Sequence, residues 1–340
     1  KRILMVTDAW RPQVNGVVHT LERLAETLKT FGVEVTFLTP NLFRTLPMPT
    51  YPDIRLALTT PGRVRKLIRE SRTDHIHIVT EGPLGLMARR YCLAEKQPFT
   101  TSYHTRFPEY VTARLPFVSE EWTYRWLKDF HNSGQGTMVA TPSMACDLEA
   151  RGFNRLQPWT RGVDIEHFTP EKRGDLEFPR PIFLCVGRVA VEKNLPAFLD
   201  LDLPGSKVVV GEGPELQWLK TRYPGAHFLG HRPNSELARI YASADVFVFP
   251  SRTDTFGNVI IEALASGTPV AGFPVTGPID IVGDGFGGIV SEDLRLAALT
   301  ALDVDRAAAR ERAMRYTWKA CAEMYMDNIR AARELRVEKA

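Results

Sequence analysis

Short apolar runs of four to seven residues recur along this chain. Each is closed by turn chemistry and followed by a helically spaced stretch, an alternation that leaves few folds open. RILMVT (2–7) reads as a buried strand, and Asn15-Gly16 then opens a helix with Val17, Val18, Leu21, Leu24, Ala25 and Leu28 on its apolar side. Gly32 closes that helix and VEVTFLT (33–39) is the next strand; IHIV (76–79), FTTSY (99–103) and TMVAT (137–141) continue the series, with a helix near 84–94. Strands separated by helices in this way form parallel βαβ units with helices on both faces of the sheet.

The pattern lapses over 152–181, a stretch rich in Pro, Gly and charge with little periodicity, and then restarts. IFLCVG (182–187), KVVVG (207–211), AHFLG (226–230), DVFVFP (245–250) and TPVAGF (268–273) are the strands of a second half. A length of 340 residues fits two domains. The expected fold class is α/β: two doubly wound, Rossmann-like domains facing a central cleft. Their bounds are expected at 1–168 and 169–317; the last 35 residues read as helix kinked at Tyr316-Thr317-Trp318, and the part over about 318–340 is expected to pack back on the first domain. In such sheets ligands bind outside the carboxyl ends of the strands.

With 43 basic and 40 acidic residues the net charge is only +3, which argues against a nucleic-acid partner. Cys92, Cys146, Cys185 and Cys321 are widely spaced, as expected of reduced, mostly packed thiols in a cytosolic protein. His75 and His77 alternate on a strand without a third ligand nearby, so no metal site is expected. No apolar run approaches the length that spans a bilayer, and no secretory leader is visible in these residues. GDGFGG (283–288) matches G-x-G-x-x-G only formally, because it lacks the strand–helix setting of a dinucleotide site.

TDTFGNVIIEALASGTPV (253–270) follows the strand ending at Pro250. Its helix is expected to begin near Phe256-Gly257, run through Ala265 and stop at Gly267. A helix start offers free N–H groups and partial positive charge, so a diphosphate can rest there, with Gly257 clearing space for close approach. Asp254 precedes the junction and Glu262 lies about two turns on, roughly 8–10 Å further. Two carboxylates so spaced suit the hydroxyls of a transferred sugar and of a ribose flanking a diphosphate. Alternatively, Asp254 is a helix cap and Glu262 a solvated helix position.

The same stretch resembles the signature of the large two-domain retaining glycosyltransferases of family 4, with Asp254 where the family usually has Glu. The resemblance extends over nearly the whole chain. It implies that Thr255, Phe256, Gly257, Asn258 and Val259 line the donor's diphosphate, with Asp254 at the transferred sugar and Glu262 at the ribose. VGRVAVEKN (186–194) resembles the family's Gly-Arg-x-x-x-x-Lys element, so Arg188 and Lys193 would clamp the leaving diphosphate. GEGPE (211–215) matches a family turn, with Glu212 lining the site or simply turning the chain. HRP (231–233) stands where the base-binding loop begins, which points to Arg232. PQVNGVV (12–18) resembles the loop brought towards the donor, with Gly16 at its end; Asp8, Gln13 and Asn15 would line the acceptor side. SYHTRFPEY (102–110) carries His104, which the resemblance sets against the donor sugar, and Tyr103 and Arg106 on the acceptor side.

The resemblance further implies transfer of a hexose with retention, by front-face attack, and with neither metal nor other cofactor. His104, Asp254, Arg188 and Lys193 would form the catalytic set. The 251–282 stretch is also similar to the glycosyl-diacylglycerol and sulfoquinovosyl-diacylglycerol synthase branch and to related α-mannosyltransferases. Expected partners are therefore a UDP-hexose donor (glucose, glucuronate or galactose) and a diacylglycerol acceptor; the alternatives are a GDP-mannose-dependent mannosyltransferase and a nucleotide-sugar binding protein without turnover. GRVRKLIRESR (62–72) sets Val64, Leu67 and Ile68 on one face, ringed by Arg65, Lys66, Arg69 and Arg72. It is either a peripheral contact with the anionic inner face of the cytoplasmic membrane or a helix packed on its own sheet with a basic outer side.

Overall fold

The computed structural model of the chain describes residues 1–11, 16–48, 51–104 and 119–337, with the backbone alone for 48, 51–54, 336 and 337. It divides into two compact units, Lys1–Thr160 with Cys321–Ala340, and Arg161–Ala320.

The sheet of the first unit contains β1 (Arg2–Val6), β2 (Glu34–Leu38), β5 (His75–Ile78), β6 (Phe99–Tyr103), β7 (Gly136–Val139) and β8 (Leu156–Pro158). Its order is β2-β1-β5-β6-β7-β8, parallel throughout. Between β2 and β5 the chain inserts an antiparallel pair, β3 (Arg44–Met48) and β4 (Tyr51–Leu58), and the helix Pro61–Glu70. Neither β8 nor the β3–β4 pair is foreshadowed by alternating runs. The helix Gly16–Thr30 buries Val18, Leu21, Leu24 and Leu28, the spacing expected of a helix lying on a sheet.

The second sheet contains β9 (Ile182–Val186), β10 (Ser206–Val210), β11 (His227–Gly230), β12 (Val246–Phe249), β13 (Val270–Gly272) and β14 (Gly288–Val290). Its order, β11-β10-β9-β12-β13-β14, is the doubly wound arrangement that reverses direction between its first and fourth strands. All pairings are parallel. Phe183, Val209, Val246, Val248 and Phe198 pack in one cluster against the covering helices. Each unit is thus Rossmann-like, the fold class expected.

The chain end departs from the expected kinked helix. Arg306–Ala313 passes into a 3-10 turn, Met314–Tyr316, and Thr317 is extended (φ −73°, ψ 153°), so Trp318–Val337 is a separate helix. That helix holds to the first unit: the Tyr325 ring lies 5.2 Å from His77 and 5.3 Å from Trp159, and Asn328 Nδ2 donates to Pro158 O at 2.7 Å.

His75 and His77 are buried and share the Thr100 hydroxyl, each at 2.8 Å, and burial lowers both pKa values, that of His75 to about 3. Cys92, Cys185 and Cys321 are buried and Cys146 is exposed, and none of the four forms a disulfide. Among the described residues no helix is long and apolar enough to cross a membrane.

Candidate active site

The reversal of strand order in the second sheet opens a crevice between the ends of β9 and β12, so the loops after these two strands must diverge there. The loop after β9 runs through Arg188 to a 3-10 turn, Val191–Lys193, closed by Asn194 in the left-handed region (φ 53°). Asn194 Nδ2 donates to Pro250 O at 3.1 Å, at the end of β12, and Ser251 Oγ donates to Glu192 O at 3.3 Å. The two loops are therefore fixed to each other. A small cavity opens there, lined by Gly187, Arg188, Lys193, Phe249, Pro250 and Ser251.

Lys193 Nζ donates to Asp254 Oδ1 at 2.6 Å, with both side chains partly buried. The other carboxylate oxygen of Asp254 is buried and has no hydrogen-bond partner among the described residues. Asp254 does not cap the helix: the cap position is Gly257, without a side-chain hydrogen bond. Arg188 is exposed and makes no ion pair among the described residues. A free guanidinium, a lysine and the open first turn at Asn258 and Val259 together make a setting for anionic oxygens.

The helix runs Asn258–Ala265, starting slightly later than expected. Gly257 has φ +86°, and a Cβ there would come within 2.9 Å of Ile260 Cδ1 and 3.1 Å of Phe249 Cζ. The glycine is thus required by the turn and by packing beneath it, a second reason for glycine beside the space for a ligand expected from the sequence. The Phe256 side chain is buried, 5.8 Å from the Tyr316 ring, so it is the main chain there that faces the junction expected to hold a diphosphate. Thr255, Asn258 and Val259 are partly exposed.

Glu262 is not a solvated helix position. It is partly buried and its Oε2 accepts from Tyr241 Oη at 2.9 Å. Burial raises its pKa to about 7, and the tyrosine hydrogen bond works in the opposite direction. Tyr241, on the helix Asn234–Ser243, is fully buried between Phe168 and Phe247, each 5.7 Å away, so its hydroxyl is aimed by packing. Sequence reasoning missed Tyr241. The only available signal was an aromatic residue in an otherwise ordinary amphipathic helix.

Neighbouring strand ends carry the remaining residues of this half. The loops after β9 and β10 touch so closely that a Cβ on Gly211 would meet Gly187 O at 1.9 Å. Glu212 is exposed beside them, its carbonyl accepting from Val189 N at 2.8 Å. Arg232, after β11, is partly exposed, with Nη1 3.6 Å from Glu236.

In the first unit His104 directly follows β6, buried, with its ring 5.7 Å from that of Trp159. Tyr103 proves to be core, packed with Tyr124, Leu127 and Phe153, because it points to the opposite side of β6 from its neighbour. Asp8 accepts from Leu84 N at 2.8 Å, from Gly85 N at 3.3 Å and from the Thr80 hydroxyl at 3.0 Å. It caps the helix Pro83–Ala94 across the sheet, so its carboxylate is engaged rather than offered to an acceptor. Burial raises its pKa, opposed by those hydrogen bonds. Gly16 is exposed at the start of its helix; Gln13, Asn15 and Arg106 lie outside the described residues.

The basic helix Pro61–Glu70 buries Val64 and Ile68 in the core of its own unit. Arg65 and Arg69 bind Glu95, and Lys66 lies 3.7 Å from Glu70. Its apolar stripe is therefore unavailable to a bilayer, and of the two readings the helix packed on its sheet is the one observed.

The profile described as "Glycosyltransferase Family 4" matches residues 14–167, and that described as "Glycosyl transferases group 1" matches 180–303. The chain is similar to a GDP-mannose-dependent alpha-mannosyltransferase of Corynebacterium glutamicum, with 30% identity over 95% of this chain and 87% of that one. It is also similar to an alpha-monoglucosyldiacylglycerol synthase of Streptococcus pneumoniae, with 27% identity over 79% of this chain and 70% of that one. Its fold resembles that of Anabaena Alr3699/HepE solved with UDP, at a TM-score of 0.71 and 15% identity, covering 97% of this chain and all of the other. Matched in both halves, the chain belongs to family 4 of the glycosyltransferases.

Proposed function

We propose that the protein transfers a hexose from a nucleotide-diphosphate sugar to a lipid hydroxyl, with retention and without a metal. The observation that carries this reading is the Lys193–Asp254 pair beside the unpaired Arg188 at the start of the Asn258–Ala265 helix. In this scheme the bond between the sugar's anomeric carbon and the diphosphate oxygen breaks, and the diphosphate leaves with the electron pair. Arg188, Lys193 and the helix N–H groups stabilise the charge that develops on it. The acceptor oxygen attacks the same face of the sugar, and its proton passes to the departing phosphate oxygen. Glu262, held by Tyr241, receives the ribose hydroxyls, and Asp254 those of the sugar.

Diacylglycerol as acceptor and a glucosyl group as cargo are supported by the similarity to the alpha-monoglucosyldiacylglycerol synthase; the UDP-hexose donor is the expectation of the sequence resemblance. A second reading, with GDP-mannose as donor, is favoured by the similarity to the Corynebacterium enzyme. Incubating the protein and diacylglycerol with UDP-glucose, UDP-glucuronate, UDP-galactose and GDP-mannose in turn, with mass spectrometry of the lipid products, tests both. No turnover with any donor would leave a binding protein and refute the assignment. A lipid acceptor places the proposed reaction at a membrane surface, with the inner face of the cytoplasmic membrane as the expected location. His104→Ala tests the part assigned to that histidine: unchanged turnover would remove it from the catalytic set.

A further inference from the structure

The β3–β4 pair turns one face inward and leaves Leu46 and Leu58 on the other largely exposed. Phe43 and Ala57 pack into the core of the first unit. In the ladder Arg44 stands opposite Leu58, and Leu46 opposite Leu56. Side chains alternate along a strand, so these four share the face opposite to Ala57. Leu46 is 54% exposed and Leu58 51%, and Leu42, at the foot of the pair, is 48% exposed. Three uncovered leucines within seventeen residues are more than a lone surface leucine, which would need no explanation. None of the four face residues is acidic, and Arg44 is exposed among the leucines.

The position in the fold gives the patch a direction. β2 ends at Leu38 on the carboxyl edge of the first sheet, and the turn Pro40–Leu42 leads from there directly into β3. β6 is parallel to β2 in the same sheet, so His104 lies on that edge as well. A surface touching the outer face of the pair therefore approaches the edge at which the first unit's loops gather.

We propose that the outer face of the β3–β4 pair, Leu42, Leu46, Leu56 and Leu58 with Arg44, seats the protein on an anionic lipid bilayer. The inference rests on the reading that the acceptor is a lipid. Leucines enter the boundary between head groups and acyl chains, while arginine pairs with lipid phosphate. Charge complementarity favours this occupant over a second copy of the chain, since apposing two such faces would bring two Arg44 side chains together. It also differs from the reading in which the helix Pro61–Glu70 inserts, because that helix has its apolar stripe buried.

The test is co-sedimentation with vesicles of phosphatidylcholine containing about one-third phosphatidylglycerol. Wild type should pellet with these vesicles and not with pure phosphatidylcholine. The double variant Leu46→Glu, Leu58→Glu should lose about tenfold or more in partition, and Arg44→Glu about fivefold. Both substitutions lie on exposed positions, and an unchanged far-UV spectrum and Tm confirm a folded protein. Wild type that does not pellet, a double variant that pellets equally, or a dimer in analytical ultracentrifugation that the double variant abolishes would each overturn the inference. Transfer to acceptor dispersed in detergent micelles is measured alongside and should survive in both variants. Wild type that fails to use micellar lipid refutes the lipid-acceptor reading by itself, whatever the vesicles show.

Discussion

Lys193 reaches across from the loop after β9 to Asp254 in the loop after β12, 2.6 Å between Nζ and Oδ1, at the reversal point of the second sheet. The lysine, assigned to the leaving diphosphate, and the carboxylate, assigned to the sugar, therefore belong to one charged unit. Each fixes the other before any ligand arrives, which is the preorganisation that electrostatic stabilisation requires. Lys193→Ala removes the cation and leaves a partly buried carboxylate without its partner. It is expected to lower kcat/KM by about 10²-fold or more, equivalent to roughly 3–4 kcal/mol. Because the pair acts together, adding Asp254→Asn to that variant should cost much less than Asp254→Asn costs alone. Steady-state kinetics on the four proteins of the cycle decides it: additive losses would separate the two residues.

Glu262 gives a pH dependence with a definite sign. Its pKa is raised to about 7 in the folded protein from the 4.5 of an unburied glutamate, so between those values the native state holds a proton that the unfolded chain has released. Its stabilising contribution is complete below about pH 4.5 and is lost as pH rises through about 7. Glu262→Gln removes the ionisation. The unfolding free energy of the variant relative to wild type should climb over that range, by about 3 kcal/mol at most, and then level off. Chemical denaturation at several pH values measures this. If the ionised carboxylate holds the ribose, donor KM in wild type should fall from about pH 6 to about pH 8.

Tyr241→Phe separates holding Glu262 from merely filling space. The phenyl ring keeps the packing against Phe168 and Phe247 but removes the hydrogen bond that favours the ionised carboxylate. The glutamate pKa should rise further, so the fall in donor KM moves to higher pH, with kcat at alkaline pH near wild type. A profile that drops uniformly without moving would leave Tyr241 only a packing role.

The strands were legible because most are continuous apolar runs buried on both faces, which a doubly wound sheet demands. The β3–β4 pair was not: RTLPMPTYPDIRLAL carries three prolines, which argue against a strand, and an antiparallel pair outside the main sheet tolerates them. β8 and β14 are three residues each, too short for a period to show. Arg188 and Lys193 were singled out because VGRVAVEKN resembles a family element, and Asp254 because it stands between a strand's carboxyl end and a helix start. Tyr103 was misjudged because adjacency to a site in sequence does not say which way a side chain turns. The Tyr241–Glu262 contact joins two helices, and neither helix's own pattern encodes it.

Metal independence makes a direct prediction. Arg188, Lys193 and the helix start are expected to balance the diphosphate's charge unaided, so the rate should persist in excess EDTA. Strict dependence on added Mg²⁺ would show that these groups do not suffice.

Gly257 tests whether the start of the Asn258–Ala265 helix must be shaped as it is. Alanine there would sit at φ +86°, strained for any L-residue, and its Cβ would press on Ile260 and Phe249 in the wall beneath the loop. Backbone strain of this kind costs about 1–3 kcal/mol, and it can be relieved only by moving the first turn. Gly257→Ala should therefore lower Tm and, if the N–H groups of Asn258 and Val259 receive the diphosphate, weaken the nucleotide product as well as the sugar donor. Calorimetric titration with UDP and GDP measures that loss directly. A variant that is destabilised yet binds both nucleotides with wild-type affinity would take the helix start out of the site and leave the anion to Arg188 and Lys193 alone.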